Sequence, residues 1–305
     1  MELITDAELI ELETVVQEAL RTGDRSALDL RGFGVTSVVL AAPIRAPRVA
    51  CKRVPPFVDR EAFAAYREVV DRNVAELRRS GIDVLATEVR LVEHGGHLAG
   101  YVVQPLLPAE SLAEAVLRAS PPASDHPLVV AIVDHVMEAT TETRGVDAQL
   151  GNWAVVDGRV TYLDVTTPFS LDASGDIEVD LDVFLRAGPP IMRPLYLREL
   201  PTSMKRWLEP RHALLDLVGN LYKLDLDDWV QPIIDATAGR VEPPITVEEA
   251  RAYYAGEVKT WTMLNRVLRG YDWWRRRVRR HAPTMFVPPP DYDPAAWKAK
   301  QAAWR

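Results

Sequence analysis

The stretch VDAQLGNWAVVDGRVTYLDV, residues 146–165, places three oxygen-bearing side chains at the ends of two short apolar runs. Asp147 precedes a Gly-Asn turn, Asn152 opens the run WAVV, and Asp164 ends the run VTYLD. An Asp-Gly pair between the runs is typical of a two-residue hairpin turn, so the chain should bring Asn152 near Asp164. We therefore expect two short buried strands that present an amide and a carboxylate at one end.

These side chains have the chemistry of a magnesium site next to a proton acceptor. Mg²⁺ is a hard cation that prefers oxygen ligands and shares them with phosphates, which favours Asn152 and Asp164 as metal ligands. Asp147, on the connecting loop, is free to accept a proton from an incoming hydroxyl. The alternative is that Asp147 and Asn152 only form turns and that Asp164 caps a strand. Their joint order and spacing favour the chemical interpretation.

Composition indicates a globular protein of a reducing compartment. The 305 residues are 48% hydrophobic, enough for a substantial core, and the single cysteine, Cys51, excludes an intramolecular disulfide. The start MELITDAELIELE is acidic, unlike a secretory signal, and no apolar run approaches the ~18 residues of a membrane span. The net charge of −8 argues against extensive nucleic-acid binding, although it is compatible with a local basic patch. We expect a soluble, cytoplasmic protein without a membrane or nucleic-acid partner.

Hydrophobic periodicity changes along the chain in a way that predicts an α+β fold. Helical spacing runs through residues 5–21, 59–80, 110–119 and 127–143 and through most of the chain beyond about 180. Strand-like segments rich in β-branched residues are ALDLRGFG, VTSVVLAA, RVACKRV, VLATEVRLVE and HLAGYVVQPLL. All five precede residue 109, so strands dominate the N-terminal third and helices dominate the remainder.

This distribution predicts an N-terminal lobe with an antiparallel sheet over residues 1–104 and a mostly helical C-terminal lobe over residues 105–305. The boundary should fall near residues 104–109. The proline- and tryptophan-containing tail from residue 282 is expected to lie extended over the surface, with a disordered end as the alternative.

Lys52 lies in the third predicted strand, on a face that it shares with Ala50 and Val54. An ammonium group on a small apolar face needs an anionic partner. The helix that follows offers Glu68 as the partner preferred by spacing, with Glu76 as the reserve. The alternatives are a lysine that reaches water from an edge strand and glutamates that lie on the solvent face of their helix.

Gly32 and Gly34, in LRGFGVTSVV, remove two Cβ atoms between two predicted strands. Their absence would let the backbone approach a phosphate chain closely. A simple hairpin turn is the alternative.

Taken in order, these parts resemble the protein kinases and the aminoglycoside and choline phosphotransferases that share the kinase fold. GFGVTSVV at 32–39 resembles the glycine-rich loop, with Ser37 in the third glycine place, and VACK at 49–52 resembles Val-Ala-Ile-Lys. Asp147-Ala-Gln-Leu-Gly-Asn152 has the catalytic-loop spacing, and Asp164 matches the metal-binding aspartate. YVVQPLLP at 101–108 falls at the position of the hinge between lobes. The resemblance covers about residues 25–170.

The resemblance implies a bilobal protein-kinase-like fold that binds ATP and Mg²⁺ between its lobes. Lys52 would neutralise the α and β phosphates, and Glu68 would hold that lysine. Asp147 would orient the acceptor hydroxyl, and Asn152 and Asp164 would bind Mg²⁺. The residues implied to contact the nucleotide, with the hinge backbone next to the adenine, are Gly32, Gly34, Ser37, Val39, Ala50, Lys52, Glu68, Gln104 and Leu106.

Departures from the protein-kinase pattern bring the chain closer to the small-molecule phosphotransferases. Gly145 stands where the catalytic-loop histidine is usual, Val-Thr-Thr follows Asp164, and no Ala-Pro-Glu motif comes later. We therefore expect an ATP- and Mg²⁺-dependent phosphotransferase that acts on a small-molecule hydroxyl acceptor. The alternatives are a kinase-like protein that binds nucleotide or a partner without turnover, and an enzyme of altered chemistry, such as nucleotidyl transfer or acyl-phosphate activation.

The segment DWWRRRVRRH, residues 272–281, combines five arginines with Trp273 and Trp274. We favour a helix end whose cations suit the negative end of the helix dipole while the tryptophans pack inward. The alternative is a clamp for an anionic partner.

Overall fold

The computed structural model describes residues 2–34, 37–186 and 188–287, and the protein is α+β as predicted. Its strands are β1 (Leu30–Phe33), β2 (Val38–Ala42), β3 (Val49–Arg53), β4 (Asp83–Val84), β5 (Glu88–His94), β6 (His97–Pro105), β7 (Arg144–Gly145), β8 (Trp153–Val156), β9 (Arg159–Tyr162) and β10 (Phe169–Ser170). Its helices are α1 (Asp6–Thr22), α2 (Arg60–Arg79), α3 (Ala113–Arg118), α4 (Pro127–Ala139), α5 (Asp182–Leu185), α6 (Arg193–Met204), α7 (Pro210–Leu221), α8 (Val230–Ala236) and α9 (Val247–Trp274).

Helix α1 forms where the periodicity predicts it, and Thr5 caps its first turn. The Thr5 hydroxyl accepts a hydrogen bond from the Glu8 N–H, and the Glu8 carboxylate accepts one from the Thr5 N–H. Such a reciprocal cap satisfies two otherwise unpaired donors and stabilises the helix by about 1 kcal/mol. The helix buries Leu9, Leu12 and Val16.

The main sheet is antiparallel with the strand order β1-β2-β3-β6-β5. Because side chains alternate along a strand, its two faces have different partners. Leu40, Cys51 and Val103 lie on the face covered by α1, where they share an apolar core with that helix. Lys52 and its cross-strand neighbour Val39 lie on the opposite face and are half-buried.

A buried ion pair lies within the core between α1 and the sheet. Arg53 donates two hydrogen bonds of 2.8 Å to the two carboxylate oxygens of Glu13, and both side chains are almost fully buried. The Tyr101 hydroxyl donates to the same carboxylate. Burial alone would raise the pKa of Glu13, but the Arg53 guanidinium outweighs it and holds that pKa below its usual value.

The predicted hairpin of residues 146–165 is confirmed as β8 and β9, which turn at Asp157 and Gly158. The short strand β4 pairs in parallel with β9, so a segment from before the predicted boundary joins a sheet from after it. The main apolar core likewise contains Tyr66 and Val102 together with Trp153 and Leu214. The division at residues 104–109 therefore remains a prediction, because the core is continuous across it.

Some boundaries differ from those predicted. Residues 109–118 form a 3₁₀ turn, Ala109–Ser111, followed by α3 rather than one helix. Helix α4 ends at Ala139 instead of 143, because Arg144 and Gly145 leave the helix to pair with β10.

The C-terminal tail packs against the N-terminal part of the chain as far as residue 287. Phe286 is buried in the core between α1 and the sheet, and Arg53 donates to the Thr284 carbonyl at 2.9 Å. The predicted extended segment is thus anchored by a buried side chain, while residues 288–305 lie outside the described part. None of the helices within that part combines the length and apolar composition that a membrane crossing requires.

Candidate functional site

Lys52 and Asp164 form a direct ion pair, although they lie 112 residues apart in the chain. The distance from Lys52 Nζ to Asp164 Oδ2 is 2.6 Å, and both side chains keep a minor exposed fraction, 20% and 26%. Burial alone would raise the pKa of Asp164, but the Lys52 ammonium outweighs it and holds that pKa below its usual value. The sequence places both residues in one site, and the structure brings them into contact.

Because β8 and β9 form a hairpin, the backbone at Asp164 lies next to the backbone at Asn152. The Leu163 N–H donates to the Asn152 carbonyl at 2.8 Å, so Asp164 follows directly after the last paired position. The Asn152 side-chain nitrogen donates to the Asp147 carbonyl at 3.3 Å, which ties this loop to the hairpin. The three polar side chains singled out in the sequence therefore come from one compact stretch of backbone.

The site has too few oxygen-bearing side chains to bind a metal ion through protein ligands alone. In the described part of the chain, no group of three or more His, Cys, Asp or Glu side chains has the arrangement of a metal site. Asn152 and Asp164 supply two oxygen-bearing groups, and Mg²⁺ commonly completes its shell with phosphate oxygens and water. These two residues fit a metal that arrives with a phosphate ligand.

Asp147 lies in a strongly negative environment. Burial, together with the negative charges of Asp216 and Asp164, raises its pKa to about 7. The Gln149 N–H donates to Asp147 Oδ1 at 3.1 Å and partly offsets this rise. A carboxylate with a pKa near neutrality is suited to exchange a proton with a hydroxyl group.

Asp216 on α7 is a further acidic residue of this site, and we did not predict it. Its side chain is almost fully buried and accepts hydrogen bonds from the Tyr253 hydroxyl at 2.7 Å and from Asn220 Nδ2 at 3.0 Å, both on Oδ1. Its Oδ2 has no hydrogen-bond partner among the described residues, and burial raises its pKa to about 6. The available signal was an aspartate inside the apolar helical run ALLDLVGNL, because a buried carboxylate needs a specific reason.

The glycine-rich turn lies next to Lys52. The Gly34 N–H donates to the Ser37 carbonyl at 2.9 Å, and a Cβ on Gly34 would come within 2.5 Å of the Ser37 hydroxyl oxygen. The same Cβ would lie 3.9 Å from the Lys52 Cε. Val35 and Thr36, between these residues, lie outside the described part. Gly32 pairs with Val39, which in turn pairs with Lys52, so the three form one cross-strand row.

The predicted hinge residues have structural partners. Gln104 pairs with Ala50 across the sheet, and its side chain donates to the Leu163 carbonyl at 2.8 Å. This bond ties β6 to the strand end that carries Asp164. The Leu106 N–H donates to the Arg48 carbonyl at 2.9 Å, which continues the pairing of β3 with β6 by one residue.

The prediction that Glu68 or Glu76 pairs with Lys52 is wrong. Glu68 is 75% exposed and lies near Arg72, while Glu76 forms a 3.0 Å ion pair with Arg144. The phase of α2 explains the difference, because the face that packs inward carries Tyr66 and not the glutamates. Asp164 is the partner of Lys52 in their place.

Gly145 has a steric role that explains the missing histidine. A Cβ at this position would lie 2.1 Å from the Trp207 carbonyl oxygen, far inside the closest contact that real side chains make. The strand β7 therefore approaches the backbone of residues 205–208 in a way that only glycine allows.

Comparison with known proteins adds a family assignment without an activity. No curated protein matches the chain. A family model described as a family of unknown function, DUF6206, matches residues 11–271, which include every predicted site residue. The chain therefore belongs to the family of unknown function DUF6206.

Proposed function

We propose that this protein is an ATP- and Mg²⁺-dependent phosphotransferase that acts on the hydroxyl group of a small molecule. The observation that carries the proposal is the 2.6 Å contact between the Lys52 ammonium and the Asp164 carboxylate. A half-buried lysine of the sheet meets an aspartate that follows a distant strand, and a metal-bound polyphosphate would need both charges.

The proposal includes a kinase-like, two-lobed arrangement of the chain. The five-stranded sheet with α2 would form the first lobe, and the helices from α3 onward would form the second. Three features support this division: the turn at Gly34 lies over Lys52, β6 leads out of the sheet, and the β8–β9 hairpin faces it through Asp164.

The residues of the site have separate proposed roles toward the nucleotide. Asn152 and Asp164 would hold Mg²⁺, and Lys52 would contact the phosphates once the metal takes over the Asp164 carboxylate. When bound, the metal would supply positive charge to the transferring phosphoryl group. The backbone at Gly32, Gly34 and Ser37 would lie along the phosphates, and the cross-strand side chains Val39, Ala50, Gln104 and Leu106 would border the base.

Asp147 would orient the acceptor and accept its proton. Its pKa of about 7 reflects burial and the nearby negative charges of Asp216 and Asp164. A bound divalent cation would offset those charges and favour the ionised form. Positioning of this kind supplies most of the rate in phosphoryl transfer, since the chemistry itself needs little from the protein.

Nucleotide-dependent thermal stabilisation tests the binding part of this proposal. A ligand that binds only the native state raises the apparent stability. We expect ATP with Mg²⁺ to raise the Tm more than ATP alone, and Asp164→Asn to remove the metal-dependent part. Exposed Asp176→Asn is the charge-matched control. The absence of a shift with every nucleotide tested would contradict the proposal.

Consumption of ATP in the presence of hydroxyl-containing acceptors tests the transfer part. Asp147→Asn should retain the Mg²⁺-dependent stabilisation and lose turnover about 10²-fold or more, because it keeps the binding groups and removes the proton acceptor. Phosphorylated product should appear in proportion to the ATP consumed.

A nucleotide-binding protein without turnover is the second candidate. The observation that favours it is that Lys52 lacks a glutamate from α2, so its position depends on Asp164 alone among the described carboxylates. This candidate predicts the same thermal shifts with equal, background rates of ATP loss for the wild type and Asp147→Asn.

A further inference from the structure

Large apolar side chains are unusually exposed where the start of α6 meets the end of α9. Ile191 is 87% exposed and Trp273 is 60% exposed, and Leu195, Trp274 and Val278 are also exposed. Single exposed apolar residues are common, but a group of them at one place marks an interaction surface. We call these five residues, with the arginines described below, the basic apolar patch.

The two segments enclose an open groove of about 650 Å³. One side is formed by the prolines and the isoleucine before α6, and the other by aromatic and basic residues at the end of α9. The lining residues are Pro189, Pro190, Ile191, Tyr271, Trp274, Arg275, Arg279 and His281. Ile191 and Trp274 therefore face the same groove as the cations Arg275 and Arg279.

Four of the five arginines in residues 272–281 have no acidic partner among the described residues. Arg276 is paired with Asp272 at 3.0 Å. No carboxylate within the described ranges pairs with Arg275, Arg277, Arg279 or Arg280. Arg275 instead donates to the Ala282 carbonyl, and Arg279 lies over the Trp274 ring. The expectation that Trp273 and Trp274 pack inward is wrong, because both side chains are exposed. Compensation of the helix dipole also does not require four cations without carboxylate partners.

The sequence beyond residue 287 continues the same composition. It contains Trp297 and Trp304 together with Lys298, Lys300 and Arg305. Val287, at the end of the described chain, lines a small cavity with Arg275. Later in the sequence, tryptophans and cations therefore occur together again, after Asp291 and Asp293.

We propose that the basic apolar patch docks on the surface of an anionic lipid membrane. Tryptophan and arginine together suit the boundary between headgroups and acyl chains, where the ring enters and the cation meets a phosphate. A protein bound in this mode lies on a bilayer and does not span it, so the mode needs no membrane-crossing helix, and none occurs among the described residues. It replaces the expectation of no membrane partner, which rested on the absence of a span.

The aliphatic members of the patch favour lipid over nucleic acid. Bases stack on aromatic rings, but Ile191, Leu195 and Val278 gain only by leaving water, which a phosphate backbone does not offer. The protein's net charge of −8 does not prevent this contact, because charges more than about 10 Å away are largely screened at physiological salt.

Co-sedimentation of the full chain with lipid vesicles tests this proposal. We expect binding to vesicles of phosphatidylcholine with phosphatidylserine, weaker binding to phosphatidylcholine alone, and weaker but measurable binding to the anionic vesicles at high salt. The double variant Arg277→Gln/Arg280→Gln should weaken partition onto anionic vesicles about 25-fold, at roughly fivefold per cation. The double variant Arg45→Gln/Lys259→Gln removes the same charge from exposed positions outside the patch and should bind like the wild type.

Trp273→Ala separates the apolar part of the interaction from the charge. It should weaken binding at low and high salt alike, since the lost contact is apolar. Circular dichroism spectra equal to the wild type would show that these variants fold. Equal binding to neutral and anionic vesicles, unchanged binding by both patch variants, or binding to oligonucleotides or acidic peptides without binding to vesicles would each overturn the proposal.

Discussion

The hydroxyl of Tyr66 on helix α2 donates a 2.9 Å hydrogen bond to the carbonyl of Thr166, two residues after Asp164. The Thr166 N–H donates in turn to Asp164 Oδ1 at 3.0 Å. Helix α2 therefore holds the turn that carries Asp164. Lys52 pairs directly with Asp164 and not with a glutamate of α2.

Removing the Tyr66 hydroxyl should destabilise the protein with little change in volume. Tyr66→Phe leaves the buried Thr166 carbonyl without this donor, and we expect a loss of about 1–2 kcal/mol in the free energy of unfolding. Urea denaturation measures it. Tyr196→Phe serves as the control, since no hydrogen bond of its hydroxyl occurs within the described residues. An unchanged stability for Tyr66→Phe would show that the contact contributes nothing.

The Asp216 carboxyl should make the protein less stable as the pH rises. Its folded-state pKa of about 6 lies above the ordinary value of 3.8, so its contribution is complete below pH 3.8 and is lost as the pH rises through 6. Because each unit of pKa shift corresponds to about 1.4 kcal/mol, the free energy of unfolding should fall by about 3 kcal/mol. Unfolding free energies should fall between about pH 4 and about pH 6 for the wild type and fall less for Asp216→Asn.

The exposed aspartate variant Asp176→Asn is the control for this pH dependence. It should follow the wild-type curve throughout. Parallel curves for Asp216→Asn and the wild type would contradict the assignment of a buried carboxyl with a raised pKa at this position.

A histidine at position 145 should not be tolerated. Any side chain there meets the Trp207 carbonyl at 2.1 Å, and backbone atoms cannot yield as a flexible side chain does. We expect Gly145→Ala to cost about 1–3 kcal/mol, and Gly145→His to cost more. Gly151→Ala on the nearby loop is the matched control, because a Cβ there meets no atom within 4 Å. A fully stable Gly145→His variant would show that β7 lies elsewhere.

Removing only Arg53 from the Arg53–Glu13 pair should lower the free energy of unfolding more than removing both charges. Arg53→Met leaves the Glu13 carboxylate buried and unpaired, which costs about 3–5 kcal/mol. The double variant Arg53→Met/Glu13→Leu should recover part of that loss. Because Arg53 also binds the Thr284 carbonyl, proteolysis near residue 284 should accelerate in both variants. A double variant less stable than Arg53→Met would contradict this account.

Local patterns were sufficient to predict the elements whose signals lie close together in sequence. The Thr5 cap fixes the start of α1, and the Asp157-Gly158 turn fixes the β8–β9 hairpin. The approach of Asn152 to Asp164 follows from that hairpin alone. Strand alternation also placed Lys52 on the face away from Cys51.

The errors share a physical origin, because each depends on how elements pack after they form. Spacing from Lys52 selected Glu68, but the rotation of α2 about its axis was set by core packing of Tyr66. Asp216 comes from a helix distant in sequence, so no local pattern linked it to Asp147.

Calorimetric titration with ATP, in the presence and absence of Mg²⁺, tests the central claim most directly. The claim is that Lys52 and Asp164 together bind a metal-bound polyphosphate. We predict that Mg²⁺ strengthens ATP binding to the wild type, that Asp164→Asn abolishes this effect, that Lys52→Ala weakens binding with and without metal, and that exposed Glu68→Gln binds like the wild type. Identical affinities for all four proteins, or no heat of binding to the wild type, would contradict the claim.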